Sequence, residues 1–175
     1  MFALFQLFFM EFDQLKFEKA RKALLNPLLL RIYLFKNLPA AWFVGLRLID
    51  LNFTGAIVQL RFSWWSSNPF GSIYFAALLA AGEFASGIIA ASYLKGYKQR
   101  ISMLVSHVEA DFTKKAIGIC TFTCCEAEAI QQCIQKAVET GLAQSIHCST
   151  IAKNESGEQV AEIRVFWRFK AVPTS

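Results

Sequence analysis

Residues 66–94 read SSNPFGSIYFAALLAAGEFASGIIAASYL. Asn68 suits an N-cap and Pro69 the first helical position, where a missing N–H costs nothing, so the stretch predicts a helix opening there. From Phe70 to Leu94 the chain is almost all Ala, Leu, Ile and Phe, with small Gly and Ser between, and Gly96 supplies a stop. One ionisable residue, Glu83, sits in the middle. A helix apolar on every side is buried in a core or in a bilayer. A carboxylate inside it must be paired, protonated or used.

Outward from this helix the pattern alternates. Residues 42–51 and 56–65 are rich in Val, Ile, Leu, Phe and Trp and predict two strands joined at Asn52-Phe53-Thr54-Gly55. After the helix, residues 101–112 and 116–124 predict two more strands. Residues 126–140 predict an amphipathic helix closed by Gly141. Residues 143–153 and 159–170 flank Asn154-Glu155-Ser156-Gly157 as a hairpin. In its second strand Ala161, Ile163, Val165, Trp167 and Phe169 share one face, while Glu162, Arg164, Arg168 and Lys170 share the other. Such strict alternation means one buried and one wet face. Upstream, residues 11–25 and 28–35 predict two helices split by Asn26-Pro27, packed as an N-terminal lid; Lys16, Lys19, Arg21 and Lys22 read as a solvated face.

A span of residues 70–94 is long enough for a bilayer. Strands on both sides, however, belong to one antiparallel sheet that a spanning helix could not bury, and a central carboxylate opposes insertion. The expectation is therefore a sheet wrapped round a central helix, with no integral membrane segment. The apolar run 1–10 lacks a basic start and a cleavage site, so it does not predict a signal peptide, and Met10 is an alternative start. With 175 residues, 55% hydrophobic and 18% charged, the chain is one greasy domain suited to large buried interfaces. Its net charge of +5 is spread rather than clustered, which argues against nucleic-acid binding. Five cysteines without a C-x-x-C pair and two histidines give no zinc spacing. They fit reduced thiols in a cytoplasmic protein.

Two strands, a long helix and four more strands resemble the hotdog fold of acyl-CoA thioesterases. The helix start resembles the PaaI-type (phenylacetyl-CoA) members, with Asn68, Gly71 and, two turns on, Glu83 at their Asn, Gly and acidic places. The segment NPFGSIYFAALLAAGEFASG is more similar still to a thioesterase-like hotdog family known as a domain of unknown function. The resemblance implies an α+β hotdog domain over residues 38–175 with a helical extension over residues 1–37. It also implies a homo-oligomer, dimer or tetramer, with sites between subunits. It departs at Tyr74-Phe75-Ala76, which stand where the family has His-Gly-Gly.

The implied activity is hydrolysis of an acyl-CoA or acyl-carrier-protein thioester without metal or cofactor. Glu83 would be base or nucleophile, Asn68 would orient substrate or water, and the Phe75 backbone N–H would be the oxyanion donor. Ala76, Leu79, Ala80, Ser86, Gly87 and Ala90 share the helix face of Glu83 and leave room beside it. Gly71, Tyr74 and Ser86 would contact substrate. Alternatively Glu83 is a buried structural carboxylate, and the chain a non-catalytic acyl-binding module. Trp64-Trp65 is expected in core or interface, or as an acyl-pocket wall. His107 and His147 are expected as hydrogen-bonded strand residues, and Cys124-Cys125 as lining of a sheet.

Overall fold

The computed structural model describes residues 12–172; the run 1–10 and the alternative start at Met10 lie outside the described residues. Three helices come first: α1 (Gln14–Leu25), α2 (Pro27–Asn37) and α3 (Pro39–Val44). Then come β1 (Arg47–Leu51), β2 (Ala56–Arg61) and a 3-10 turn at Trp64–Ser66. The long helix α4 (Phe75–Leu94) precedes β3 (Ile101–Phe112) and β4 (Ile119–Cys124). Helix α5 (Ala127–Thr140) leads into β5 (Gln144–Lys153) and β6 (Gln159–Ala171). The strands form one antiparallel sheet in the order β1-β2-β4-β5-β6-β3. The sheet curls round α4, which is the hotdog arrangement expected from the sequence.

The helix meets the sheet at very close range, and a glycine makes this possible. A Cβ on Gly82 would lie 2.7 Å from Cβ of Ile163 on β6. The Gly82 carbonyl, already inside the helix ladder, also accepts a bond from the buried Thr150 hydroxyl of β5 at 3.1 Å. Ala161, Ile163, Val165, Trp167 and Phe169 all point inward, as the alternation predicts. Helix α5 buries Ala127, Ile130, Ile134 and Ala137. The last hairpin turns as expected, with Gly157 at φ 82° and the Asn154 side chain accepting from the Ser156 and Glu158 N–H groups.

The N-terminal helices pack on the opposite side. Asp13 caps α1, accepting from the Lys16 N–H at 3.0 Å, so the helix starts three residues later than its pattern suggested. Phe17 is fully buried and stacks on Tyr93 of α4 with centroids 4.7 Å apart. Arg21 donates to the Leu51 carbonyl at 2.7 Å and ties α1 to the edge strand β1.

Three sequence expectations are corrected. Residues 42–44 are helical rather than strand: Pro39 opens α3 and Gly45 closes it at φ 80°, the Pro-first, Gly-last asymmetry of a short helix. The strand expected to run to residue 65 stops at Arg61, because Ser63 and Ser66 form a reciprocal capping box round the Trp64–Ser66 turn. The long helix begins at Phe75, not after Asn68. The Asn68 side chain instead gathers the loop before it, accepting from the Phe70 and Ser72 N–H groups at 2.9 and 3.2 Å and donating to the Ile73 carbonyl. Gly71 takes the left-handed turn this loop needs, at φ 71°.

Candidate active site

Helix α4 carries two places where chemistry can occur, one at its start and one at its middle. At the start, the Asn68 loop delivers Tyr74 in extended conformation (φ −66°, ψ 134°) and no side chain caps the helix. The Tyr74 carbonyl accepts from Ala77 and Leu78, while the Phe75 and Ala76 N–H groups have no acceptor among the described residues. The start of this 20-residue helix, its positive end, borders a cavity of about 540 Å³ that Phe75 lines. Phe70, Tyr74, Phe75 and Phe112 wall it, and Lys115 lies at its edge, donating to the Phe70 carbonyl at 3.3 Å. This is anion-holding geometry in an aromatic mouth.

At the middle, Glu83 faces a cavity of about 220 Å³. Tyr33 of α2, Leu38, Ile88, Met103 of β3 and Trp167 of β6 line it. Gly87, one turn on, makes space for the carboxylate: a Cβ there would sit 3.1 Å from Glu83 Oε1 and 3.2 Å from the Trp167 ring. The Glu83 carboxylate has no hydrogen bond or ion pair among the described residues. Burial therefore raises its pKa above the ordinary carboxylate value. The Tyr33 hydroxyl titrates high as well, through burial first and the nearby Glu83 charge second.

The sequence-predicted residues divide between these two places. Asn68, Gly71, Tyr74 and Phe75 belong to the helix start, with Asn68 and Gly71 engaged in shaping the loop. Glu83 stands alone in the other cavity. Ser86 is fully buried, accepts the Trp167 indole N–H at 2.9 Å and donates to the Glu83 carbonyl at 3.1 Å. Phe75 and Glu83 are eight residues apart, about 12 Å along the axis at 1.5 Å per residue.

Other candidates fall away from both cavities. Trp64 and Trp65 are not in the core: they are 80% and 60% exposed, held out by the capped 3-10 turn. His107 and His147 are likewise not core residues; both are exposed on the outer face of the sheet beside the Phe166 ring. Cys124 is buried and its thiol is pushed up to about 11, which keeps it neutral, whereas Cys125 is exposed. Sequence reasoning missed Tyr33, Leu38 and Met103. They reach Glu83 only through tertiary packing, and no local pattern announces that.

Comparison with solved structures agrees with the fold. A Pseudomonas aeruginosa protein of unknown function, described as a probable thioesterase, superposes with TM-score 0.64 at 22% identity, covering 83% of this chain and 97% of that one. A protein of unknown function from Chlorobaculum tepidum gives 0.69 at 12% identity, with 83% and 97% covered. The E. coli PaaI protein from the phenylacetic acid degradation operon gives 0.54 at 14% identity, with 82% and 91% covered. No curated protein sequence matches the chain. The solved structures share the fold of this chain, and the family model described as a domain of unknown function, DUF4442, matches residues 28–169: the chain belongs to that family.

Proposed function

We propose that this protein hydrolyses acyl-CoA or acyl-carrier-protein thioesters, with Glu83 as the base or nucleophile. The observation that carries the reading is the Glu83 carboxylate itself, unpartnered in an apolar cavity on the central helix with its pKa raised. Glu83 is half-buried, and a carboxylate in an apolar cavity without a hydrogen bond or ion pair among the described residues is a candidate for chemistry. As base it takes a proton from water, the water oxygen adds to the thioester carbon, and the oxyanion is held by the Phe75 N–H. Collapse expels the thiolate, which recovers the proton from Glu83. As nucleophile, the Glu83 carboxylate would add to the thioester carbon and expel the thiolate to leave an acyl anhydride, which water then opens to the free acid and the Glu83 carboxylate, the water proton going to the thiolate. Asn68 contributes by holding the loop that aims the Phe75 N–H, and Gly71, Tyr74 and the Ser86 region flank substrate.

Within one chain, Phe75 and Glu83 are too far apart to serve one carbonyl, so this reading takes the two groups from different copies. The homo-oligomer is supported by β3, a 12-residue edge strand with Leu104, Val108 and Phe112 exposed. Its Phe112 end borders the cavity at the helix start, with ring centroids of Phe75 and Phe112 6.4 Å apart. The protein is proposed as cytoplasmic. It is proposed to have no integral span, since most α4 residues are buried against sheet and helices.

A second reading, a non-catalytic acyl-binding module, is favoured by the exposed Tyr74 and Phe75 rings, 4.8 Å apart, which narrow the approach to the Phe75 N–H. The test follows thioester absorbance over a panel of acyl-CoAs, avoiding thiol dyes because of the five cysteines. Turnover that collapses about 10²–10⁴-fold in Glu83→Gln supports hydrolysis. Saturable binding without turnover would leave the acyl-binding module.

A further inference from the structure

The N-terminal side of the molecule carries an apolar, basic surface that the site above does not use. On α2, Leu28, Leu29, Ile32 and Phe35 are all exposed, Leu28 by 69%. The surface continues as an unbroken run of rings. Phe35 touches Trp42 at 5.4 Å, Trp42 touches Phe43 at 5.1 Å, Phe43 touches Trp65 at 5.5 Å, and Trp65 touches Trp64 at 4.8 Å. Isolated exposed apolar residues need no explanation, but a contiguous strip from one helix to a protruding Trp pair does.

Its charge is one-sided. Helices α2 and α3, which carry the strip, contain Arg31 and Lys36 and no Asp or Glu, and Arg47 opens β1 beside them, while Arg21 of α1 is paired with Glu18. The Arg31 guanidinium lies over the Trp42 ring at 4.5 Å, within the aromatic run. Beside it opens a groove of about 530 Å³ between α2 and β1, floored by Leu30, Leu46 and Leu48 and bordered by Arg31 and Arg47. Trp rings in one run with an Arg head, backed by aliphatic side chains, match the headgroup zone of a membrane rather than a second polar protein surface. The groove between two arginines accommodates a lipid phosphate with its first methylenes on the leucines.

We propose that this face docks the protein on an anionic phospholipid bilayer, peripherally, with Trp64 and Trp65 inserted at the interface. The binding is independent of the hydrolytic reading, and Glu83→Gln protein should bind vesicles as wild type does. The experiment is flotation of the full chain with phosphatidylcholine vesicles, with and without phosphatidylglycerol, together with tryptophan emission. Wild type should float with the anionic vesicles at low salt and shift its emission to the blue. Replacing Trp64 and Trp65 with Ser should abolish the shift. Arg31→Gln with Lys36→Gln should weaken binding about 30-fold, at about fivefold per basic residue. Leu28→Gln with Ile32→Gln is a second, independent probe of the same face, and circular dichroism melts check that each variant folds. Absence of flotation at low salt would overturn the proposal. So would equal binding to neutral vesicles unaffected by the arginine and lysine changes. Loss of an oligomer in sedimentation velocity on removing the two tryptophans, without vesicle binding by wild type, would assign the face to a second copy and equally overturn it.

Discussion

The two faces of helix α4 handle polar groups in opposite ways. Against the sheet, buried polar groups have partners: Thr150 bonds to the Gly82 carbonyl, and Trp167, whose ring also lines the Glu83 cavity, bonds to Ser86, which bonds on to the Glu83 carbonyl. Packing there is tight enough that Gly82 admits no Cβ. On the face towards α2, a cavity remains, and the Glu83 carboxylate sits in it without a partner. The same helix thus carries a face built for stability and a face that gives some up. Uncompensated burial of an ionisable group costs free energy, and natural structures retain such costs chiefly where chemistry needs them.

The comparison can be broken in several places. The largest effect belongs to the helix start that completes the Glu83 reading. Phe75→Pro removes the N–H donor at a position where proline suits a helix and where the extended Tyr74 already satisfies the constraint before proline. Thioester turnover should fall about 10²–10³-fold with the fold retained. Mixing Phe75→Pro with Glu83→Gln protein should restore turnover if each site draws on two copies, and restoration is read directly from the same assay. On the sheet face, Gly82→Ala should cost roughly 3 kcal/mol, the upper part of the overpacking range, because Ile163 is branched and enclosed. A urea midpoint shift reports it. Ser86→Ala should cost roughly 2 kcal/mol by leaving the buried Trp167 N–H without an acceptor, visible in the same denaturation curve. The smallest effect lies at α2, which carries Tyr33 to the Glu83 cavity. Asn26 caps that helix, accepting from the Leu28 and Leu29 N–H groups at 3.0 and 3.2 Å, and Asn26→Ala should cost about 1 kcal/mol in thermal melts.

Legibility in the sequence followed the range of the determining forces. The β5–β6 hairpin was readable because one buried face imposes a period of two along β6. Helix α5 was readable because a polar outer face and Gly141 frame its apolar stripe. The run around Trp42 misled because its apolar composition suits a strand, while of the true punctuation Pro39 lies just outside it and Gly45 is a single glycine within it. Asn68 misled because a good cap residue is equally good at folding an Asx-type loop. Trp64 and Trp65 read as core, interface or pocket wall by type; a two-serine capping box lifts them out of the core to the surface. Within the site, Glu83 was legible as the one charge in an apolar helix. Tyr33, fifty residues earlier in the chain, was not, because only the packing of α2 against α1 and α3 brings it to the cavity.

The claim that the α2-facing side of the helix holds an unpartnered carboxylate is tested most directly by comparing the stability of wild type and Glu83→Gln as a function of pH. An acid whose pKa is raised by folding binds more protons in the native state than in the unfolded one. Wild-type stability therefore falls as pH rises from the ordinary carboxylate value of 4.5 through the raised one, and glutamine removes that loss. The account predicts that Glu83→Gln unfolds at higher urea than wild type at pH 7.5, with the difference closing as the pH drops below 4.5. A glutamine variant less stable than wild type at pH 7.5 would contradict it, showing that the Glu83 charge is held by a partner and belongs to the architecture rather than to the chemistry.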